Sequence, residues 1–258
     1  MAAAVKAIAV PPPGGRRVPC EQCPLRDNPC LRDFSAKELS FVAEFKSGEL
    51  NVAAGTNVLL QGTNSAHLYT VLSGWAFRYK TLPDGRRQIL NFSLPADLLG
   101  LQGSISDEMQ HSVETLTDVK LCVFPREKLW ELYRDYPTLS FDITWLAARE
   151  EQLLDEHLLS VGRRTSLERV AHLLLHLYTR AEQAGLAKNG AVQFPFTQQH
   201  LADTLGLSLV HTNKTLKRLL STKCVSWKDR RFEVVDREAL SKIASFDPPK
   251  QPARRPFI

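Results

Sequence analysis

Between Gly48 and about Pro125 the chain alternates short apolar runs with turn residues. Val58-Leu-Leu, His67-Leu-Tyr-Thr-Val-Leu, Trp75-Ala-Phe-Arg-Tyr, Gln88-Ile-Leu-Asn-Phe and Val119-Lys-Leu-Cys-Val-Phe are each strand-length. Gly55, Gly62, Ser73-Gly74, Pro83-Asp84-Gly85 and Pro95 bound them. The run from Trp75 through the Pro-Asp-Gly turn to Phe92 predicts a β-hairpin. Many short strands at near-regular spacing predict a barrel or roll of antiparallel sheets. The period changes after Pro125. Arg126 to Leu132 suits a short helix, and Pro137 opens a long one, since proline fits the first helical turn. Within it Ala147, Glu151, Leu154, Leu158 and Val161 follow the 4-3-4-3 spacing of one coiled-coil seam, with charges on the flanks. A buried core helix would use the same apolar positions. Gly162-Arg-Arg-Thr then reads as a hinge, and Ser166 as the cap of a helix reaching about Arg180, followed by a loop from Ala184 to Val192.

The stretch from Phe196 to Leu219 has the spacing of a helix-turn-helix. Thr197 caps a first helix whose Leu201, Ala202 and Leu205 point inward, and Gly206 supplies the left-handed turn. Ser208 caps a second helix with Thr212, Leu216 and Leu219 inward and Lys214, Lys217 and Arg218 outward. Two further runs, joined by Lys228-Asp-Arg-Arg, predict a winged hairpin with a basic tip. A purely structural helical hairpin explains the apolar positions but not the cap, the glycine and the cationic face together. In such a unit the second helix enters the major groove. Val210, His211, Asn213 and Lys214 are the candidate base readers, and Lys217, Arg218, Lys228 and Arg230 the candidate phosphate contacts. Charge agrees with a polyanionic partner. Residues 1–161 carry 16 Lys and Arg against 20 Asp and Glu, whereas residues 162–258 carry 17 against 8.

Five cysteines in 258 residues do not suggest a secreted disulfide framework. The Pro/Gly-rich start has no export-signal core, and no segment approaches a membrane span, so a cytoplasmic protein is expected. Three of the five thiols, Cys20, Cys23 and Cys30, crowd into eleven residues. Alternation along Val119 to Phe124 puts Cys122 and Phe124 on one strand face and Leu121 and Val123 on the other. Cys224 is assigned to packing. Three clustered thiols plus a distant fourth suit a metal centre. Zinc, a thiol switch or no metal at all use the same residues. No thioredoxin-like unit, phosphate-cradling glycine loop or H-E-x-x-H sequence is present, so an enzyme is not expected.

A roll, a long helix and a winged helix-turn-helix in that order resemble the CRP/FNR family of bacterial transcription regulators. Ser73-Gly74-Trp-Ala-Phe, Leu94-Pro-Ala-Asp-Leu-Leu-Gly100, the helix after Pro125 and Thr197–Leu219 carry the resemblance, which spans residues 20 to about 243. It implies an α+β chain made of a cyclic-nucleotide-binding-like β-roll, a long dimerisation helix and a C-terminal winged helix-turn-helix. The expected divisions are a flexible arm over 1–19, a sensor over 20–136, a dimerisation helix over 137–161, a DNA-binding domain over 162–243 and a tail over 244–258. Similarity to the FNR branch implies a [4Fe–4S] cluster on Cys20, Cys23, Cys30 and Cys122, hence an oxygen- or redox-responsive homodimer on a near-palindromic duplex, with RNA polymerase as a further partner. A cluster-free regulator answering a small molecule, or a constitutive one, is the alternative. Glu151, Leu154 and Leu158 would form the dimer switch, two Glu151 carboxylates repelling across the seam. Where cyclic-nucleotide-binding members hold ribose and phosphate, this chain has Gly100-Leu101 and His111-Ser112, so cyclic AMP is not expected. In the reading helix Val210 and Lys214 replace the family's Glu and Arg readers, which implies a different half-site.

Overall fold

The structure, a computed structural model, describes residues 18–106, 108–246 and 254–258. The expected arm over 1–19, save Val18 and Pro19, lies outside the described residues, as do residues 247–253 of the expected tail. After two short 3-10 turns around Cys20 and Cys23 comes α1 (Ala36–Phe45). Its start is a capping box: Ser35 Oγ accepts from the Glu38 N–H, and the Glu38 carboxylate accepts from the Ser35 N–H at 2.7 Å.

The roll follows as β1 (Gly48–Val52), β2 (Asn57–Leu59), β3 (His67–Ser73), β4 (Ala76–Thr81), β5 (Arg87–Ser93), β6 (Leu98–Leu99), α2 (Leu101–Ser106), β7 (Ser112–Thr115) and β8 (Val119–Pro125). They form two four-stranded antiparallel sheets, ordered β1-β8-β3-β6 and β2-β7-β4-β5. The predicted hairpin is β4–β5. Gly74, between β3 and β4, has φ +89°, and a Cβ there would sit 2.3 Å from the Asp118 carbonyl, so only glycine fits. Alternation along β8 is as expected. Leu121 and Val123 pack between the sheets with Val71, Ala76 and Val113, while Cys122 and Phe124 face the opposite side.

Arg126–Lys128 is a 3-10 turn, and α3 (Leu129–Asp135) precedes α4 (Pro137–Arg163). The long helix thus runs 27 residues, about 40 Å, and passes straight through Gly162. The break falls at Arg164, one turn residue before the next cap, because the preference of Gly162 against helix is only about 1 kcal/mol. Thr165, not Ser166, caps α5 (Ser166–Gln183), because Thr165 stands three residues before Glu168 and completes the reciprocal box. The expected loop after α5 contains β9 (Ala191–Gln193). The C-terminal unit continues as α6 (Gln198–Leu205), α7 (Leu209–Ser221), β10 (Val225–Lys228), β11 (Arg231–Val234) and α8 (Arg237–Ala244). β9 adds a third strand to the wing, in the order β10-β11-β9.

The two halves share a core. Trp75, Phe77 and Phe92 of the roll pack with Phe194, Phe196 and Phe232 of the C-terminal unit. The Trp75 ring meets Phe194 edge-on at 5.9 Å. Around this cluster Arg87 pairs with Asp203 at 2.9 Å, and Gln88 Nε2 donates to the Thr204 carbonyl at 2.9 Å.

Candidate nucleic-acid interface and sensor compartment

Local chemistry builds α6 and α7. Thr197 Oγ1 accepts from the His200 N–H and Ser208 Oγ from the His211 N–H, each satisfying a donor left open at a helix start. Between them Gly206 takes φ +65° and closes α6 in the left-handed region. Leu201, Ala202 and Leu205 on α6, and Thr212, Leu216 and Leu219 on α7, are buried as expected. The outward face of α7 is free. Val210 is 79% exposed, and His211, Lys214, Lys217 and Arg218 are exposed beside it. Asn213 is placed differently: it is half-buried, and its Oδ1 is shielded from solvent without a partner among the described residues. At the wing, Asp229 and Arg230 take φ +51° and +65°, the pair of left-handed residues of a type I′ hairpin turn. Lys228 and Arg230 are exposed at this tip. Exposed cations thus stand both on the recognition helix and at the wing tip.

On α4, Leu139, Ile143 and Leu146 are buried against the roll, while the seam positions Ala147, Glu151, Leu154 and Leu158 are exposed. Leu158 is 72% and Leu159 48% exposed, apolar positions without a partner among the described residues.

The cysteines divide three to one. Cys20 and Cys23 pack against the cluster that contains Cys122, and all three feel one another and the Lys46–Glu49 ion pair. Burial pushes the Cys122 thiol up to about 12 and raises Cys20 and Cys23 as well, with Lys46 opposing it in each case. Cys30 stands apart. Its N–H donates to Asn28 Oδ1 at 2.9 Å, and its carbonyl accepts from the Arg255 N–H at 2.8 Å. Among the described residues no three His, Cys, Asp or Glu side chains are arranged to hold a metal ion. As placed, the four thiols therefore do not assemble a [4Fe–4S] site, since not even three of them are gathered as ligands. Cys224 is buried in the C-terminal core, with Thr222 Oγ1 3.0 Å from its sulfur.

A cavity of about 700 Å3 opens between the roll, α4 and α5. Gly100, Leu101 and His111, the residues at the effector positions, line it. The sequence reading placed no guanidinium here, yet the fold brings Arg78, Arg149, Arg180 and Arg255 to its wall. Arg78 pairs with Glu150, and Arg180 and Arg255 both hold the buried Asp97. The residue spacing could not have shown this, since the partners come from strand, helix and tail. Burial, with Arg180 and Arg255 nearby, lowers the pKa of Arg149.

The chain matches known proteins along most of its length. Residues 49–136 match the cyclic nucleotide-binding domain, and residues 168–243 the Crp-like helix-turn-helix domain. The nitrogen fixation regulation protein FixK of Bradyrhizobium diazoefficiens is 32% identical over 203 residues, which is 78% of this chain and 83% of that relative. The transcriptional activator protein FnrL of Cereibacter sphaeroides is 27% identical over 219 residues, 84% of this chain and 87% of its own. Among solved structures, FixK2 from Bradyrhizobium japonicum superposes with a TM-score of 0.70 at 25% identity, covering 78% of this chain and 98% of that one. Among the described residues no helix is long and apolar enough to cross a membrane.

Proposed function

The chain belongs to the CRP/FNR family of transcription regulators, and from that premise we propose that it is a transcriptional activator that binds a near-palindromic duplex as a homodimer. One observation carries the reading: a single capped helix presents Val210, His211, Lys214, Lys217 and Arg218 outward over a buried Thr212–Leu216–Leu219 face. Pairing of two α4 stripes places two such helices in successive major grooves, about 34 Å apart. Lys214, near the helix start, reaches guanine O6 and N7, while Val210 packs on a thymine methyl. Lys217, Arg218, Lys228 and Arg230 meet phosphates and set register. An activator so placed presents its remaining surface to RNA polymerase.

The two contact classes separate experimentally. Lys214→Ala should weaken binding to the preferred duplex by about 1–3 kcal/mol and relax the preference at one base step. Lys217→Ala should weaken binding to all sequences alike and lower the slope of log affinity against log salt by about 1. Fluorescence anisotropy titrations at several salt concentrations read both. Equal effects of the two substitutions on specific and random duplex would remove the assigned reading roles.

For the signal, a second reading has one observation in its favour: Cys20, Cys23 and Cys122 share a compartment. In that reading an iron–sulfur centre on these three and Cys30 makes the regulator oxygen-responsive. The absence of any trio of gathered ligand side chains among the described residues stands against it. Iron and acid-labile sulfide assays with an ultraviolet–visible spectrum, on protein purified without oxygen, decide the matter. Brown protein with stoichiometric iron and sulfide supports the reading, and colourless protein that still binds its duplex ends it.

A further inference from the structure

The five residues Arg254 to Ile258 pack with the cluster on the Cys122 face of the sensor sheet. Their attachments are specific. The Arg255 N–H donates to the Cys30 carbonyl at 2.8 Å, and the Arg255 carbonyl accepts from the Arg32 N–H at 2.8 Å, a parallel bridge to the cysteine-bearing segment. The Arg255 guanidinium reaches the Ala96 carbonyl at 2.9 Å and ion-pairs with Asp97. Phe257 packs on Phe34 with ring centroids 4.8 Å apart. The Ile258 carbonyl accepts from Thr70 Oγ1.

Phe257 and Ile258 are each only 4% exposed, within the same cluster as Leu25, Leu31 and Cys122. Thr70 of β3 and Cys122 of β8 are directly paired, so their side chains project from the same face of the sheet. A peptide bonded to Thr70 Oγ1 therefore lies over the face that carries the Cys122 sulfur. Two buried large apolar side chains and five main-chain or guanidinium contacts are more than a passing surface contact offers.

We propose that this sheet face is a peptide-docking groove whose occupant is the chain's own 254–258 segment, and that the docked segment is a latch that covers Cys122 and pins the main chain of the Cys30–Arg32 segment. The groove selects its occupant by chemistry: a basic residue for Asp97, an aromatic residue for Phe34, and a β-branched apolar residue beside Thr70. The latch also touches the DNA-binding half. Asp97 receives Arg255 from the segment and Arg180 from α5, so docking and the seating of α5 on the roll share one buried carboxylate. Releasing the segment uncovers the thiol face and loosens that seat together.

The test uses the full chain and two variants, Phe257→Asp/Ile258→Asp and the milder Arg255→Ala. Hydrogen exchange by mass spectrometry follows the segment containing Leu31 and Arg32, whose amide is bonded to Arg255, and maleimide labelling follows Cys122. In the double variant both exchange around Arg32 and labelling of Cys122 should accelerate at least tenfold, with a smaller rise for Arg255→Ala. The wing strands β10 and β11 and the buried Cys224 should keep their wild-type rates. Unchanged rates at Arg32 and Cys122 overturn the latch. So does an equal rise at the wing and Cys224, which would make the segment a general stabiliser. Adding the pentapeptide Arg-Arg-Pro-Phe-Ile at millimolar concentration should restore protection of Cys122 in the double variant, and failure to do so counts against a selective groove.

Discussion

Asp97→Ala should destabilise the full chain by about 3–5 kcal/mol, the largest effect expected of any single substitution here. Asp97 is 4% exposed and faces two guanidinium groups, Arg180 at 2.7 Å and Arg255, while its Oδ2 also accepts from the Leu94 N–H at 2.7 Å. Desolvation opposes its charge, but the two arginines and the main-chain donor win and hold its pKa below the usual carboxylate range. Removing the carboxylate leaves two cations facing each other in a buried site. The cost is the stranded charge, not the loss of a favourable pair. Because the three partners come from the roll, α5 and the 254–258 segment, the substitution should also split unfolding into separate steps. Urea denaturation at fixed protein concentration, followed by tryptophan fluorescence and by far-ultraviolet circular dichroism, measures it. A single transition within 1 kcal/mol of wild type contradicts the role given to Asp97.

The second large effect is of pH. Burial lowers His111 to about 3, with Arg78 and Lys80 adding to it, and lowers His172 to about 4, with Arg164 and His157 adding to it. The Nε2 of each is buried without a hydrogen-bond partner among the described residues, and Glu156 lies 3.6 Å from that of His172, too far to hold a proton there firmly. His157 and His176, beside His172 between α4 and α5, are lowered too. At these histidines the folded chain therefore binds fewer protons than the unfolded chain between about pH 6.5 and their folded-state values. Stability falls as pH drops through 6.5 and goes on falling until the folded-state pKa values are reached. At pH 5 His111 and His172 together remove about 4 kcal/mol relative to pH 8, a large share of an ordinary folding free energy. Carboxylates such as Glu49 and Asp97, lowered by their cationic partners, add to the loss only below about pH 4.5. Urea midpoints between pH 8 and pH 5 check this. A flat profile across that window means the histidines are solvated.

How far the sequence could be read depends on how local the chemistry is. Thr197, Gly206 and Ser208 act on donors and dihedrals within three residues of themselves, so the helix-turn-helix was visible in the letters. The face of Cys122 followed from alternation for the same reason. The helix junction was misplaced by one residue at its cap and two at its end. Adjacent Thr165 and Ser166 are both good caps, and only the Glu168 three residues after Thr165 separates them. Ser35 and Glu38 carry the same signal for α1, a helix that the pattern of apolar runs did not single out. The contacts that close the sensor were out of reach. Asp97 meets Arg180 and Arg255 from across the chain, and nothing in the spacing of 254–258 announces a docked peptide. Nor does the spacing of Cys20, Cys23 and Cys30 show that the main chain of the third is bonded to Arg255.

The central claim is that two chains joined along α4 lay two recognition helices on one duplex. Its most direct test is the stoichiometry of the complex, measured by sedimentation on a duplex selected from a random pool, for wild type and Leu158→Asp. The account predicts two protomers per duplex on a twofold-symmetric sequence. It also predicts dimer affinity at least about 30-fold weaker in the variant, since about 2 kcal/mol of apolar burial is lost, with selective binding lost alongside. One protomer per duplex, or a Leu158→Asp variant that dimerises and binds as wild type does, would contradict it.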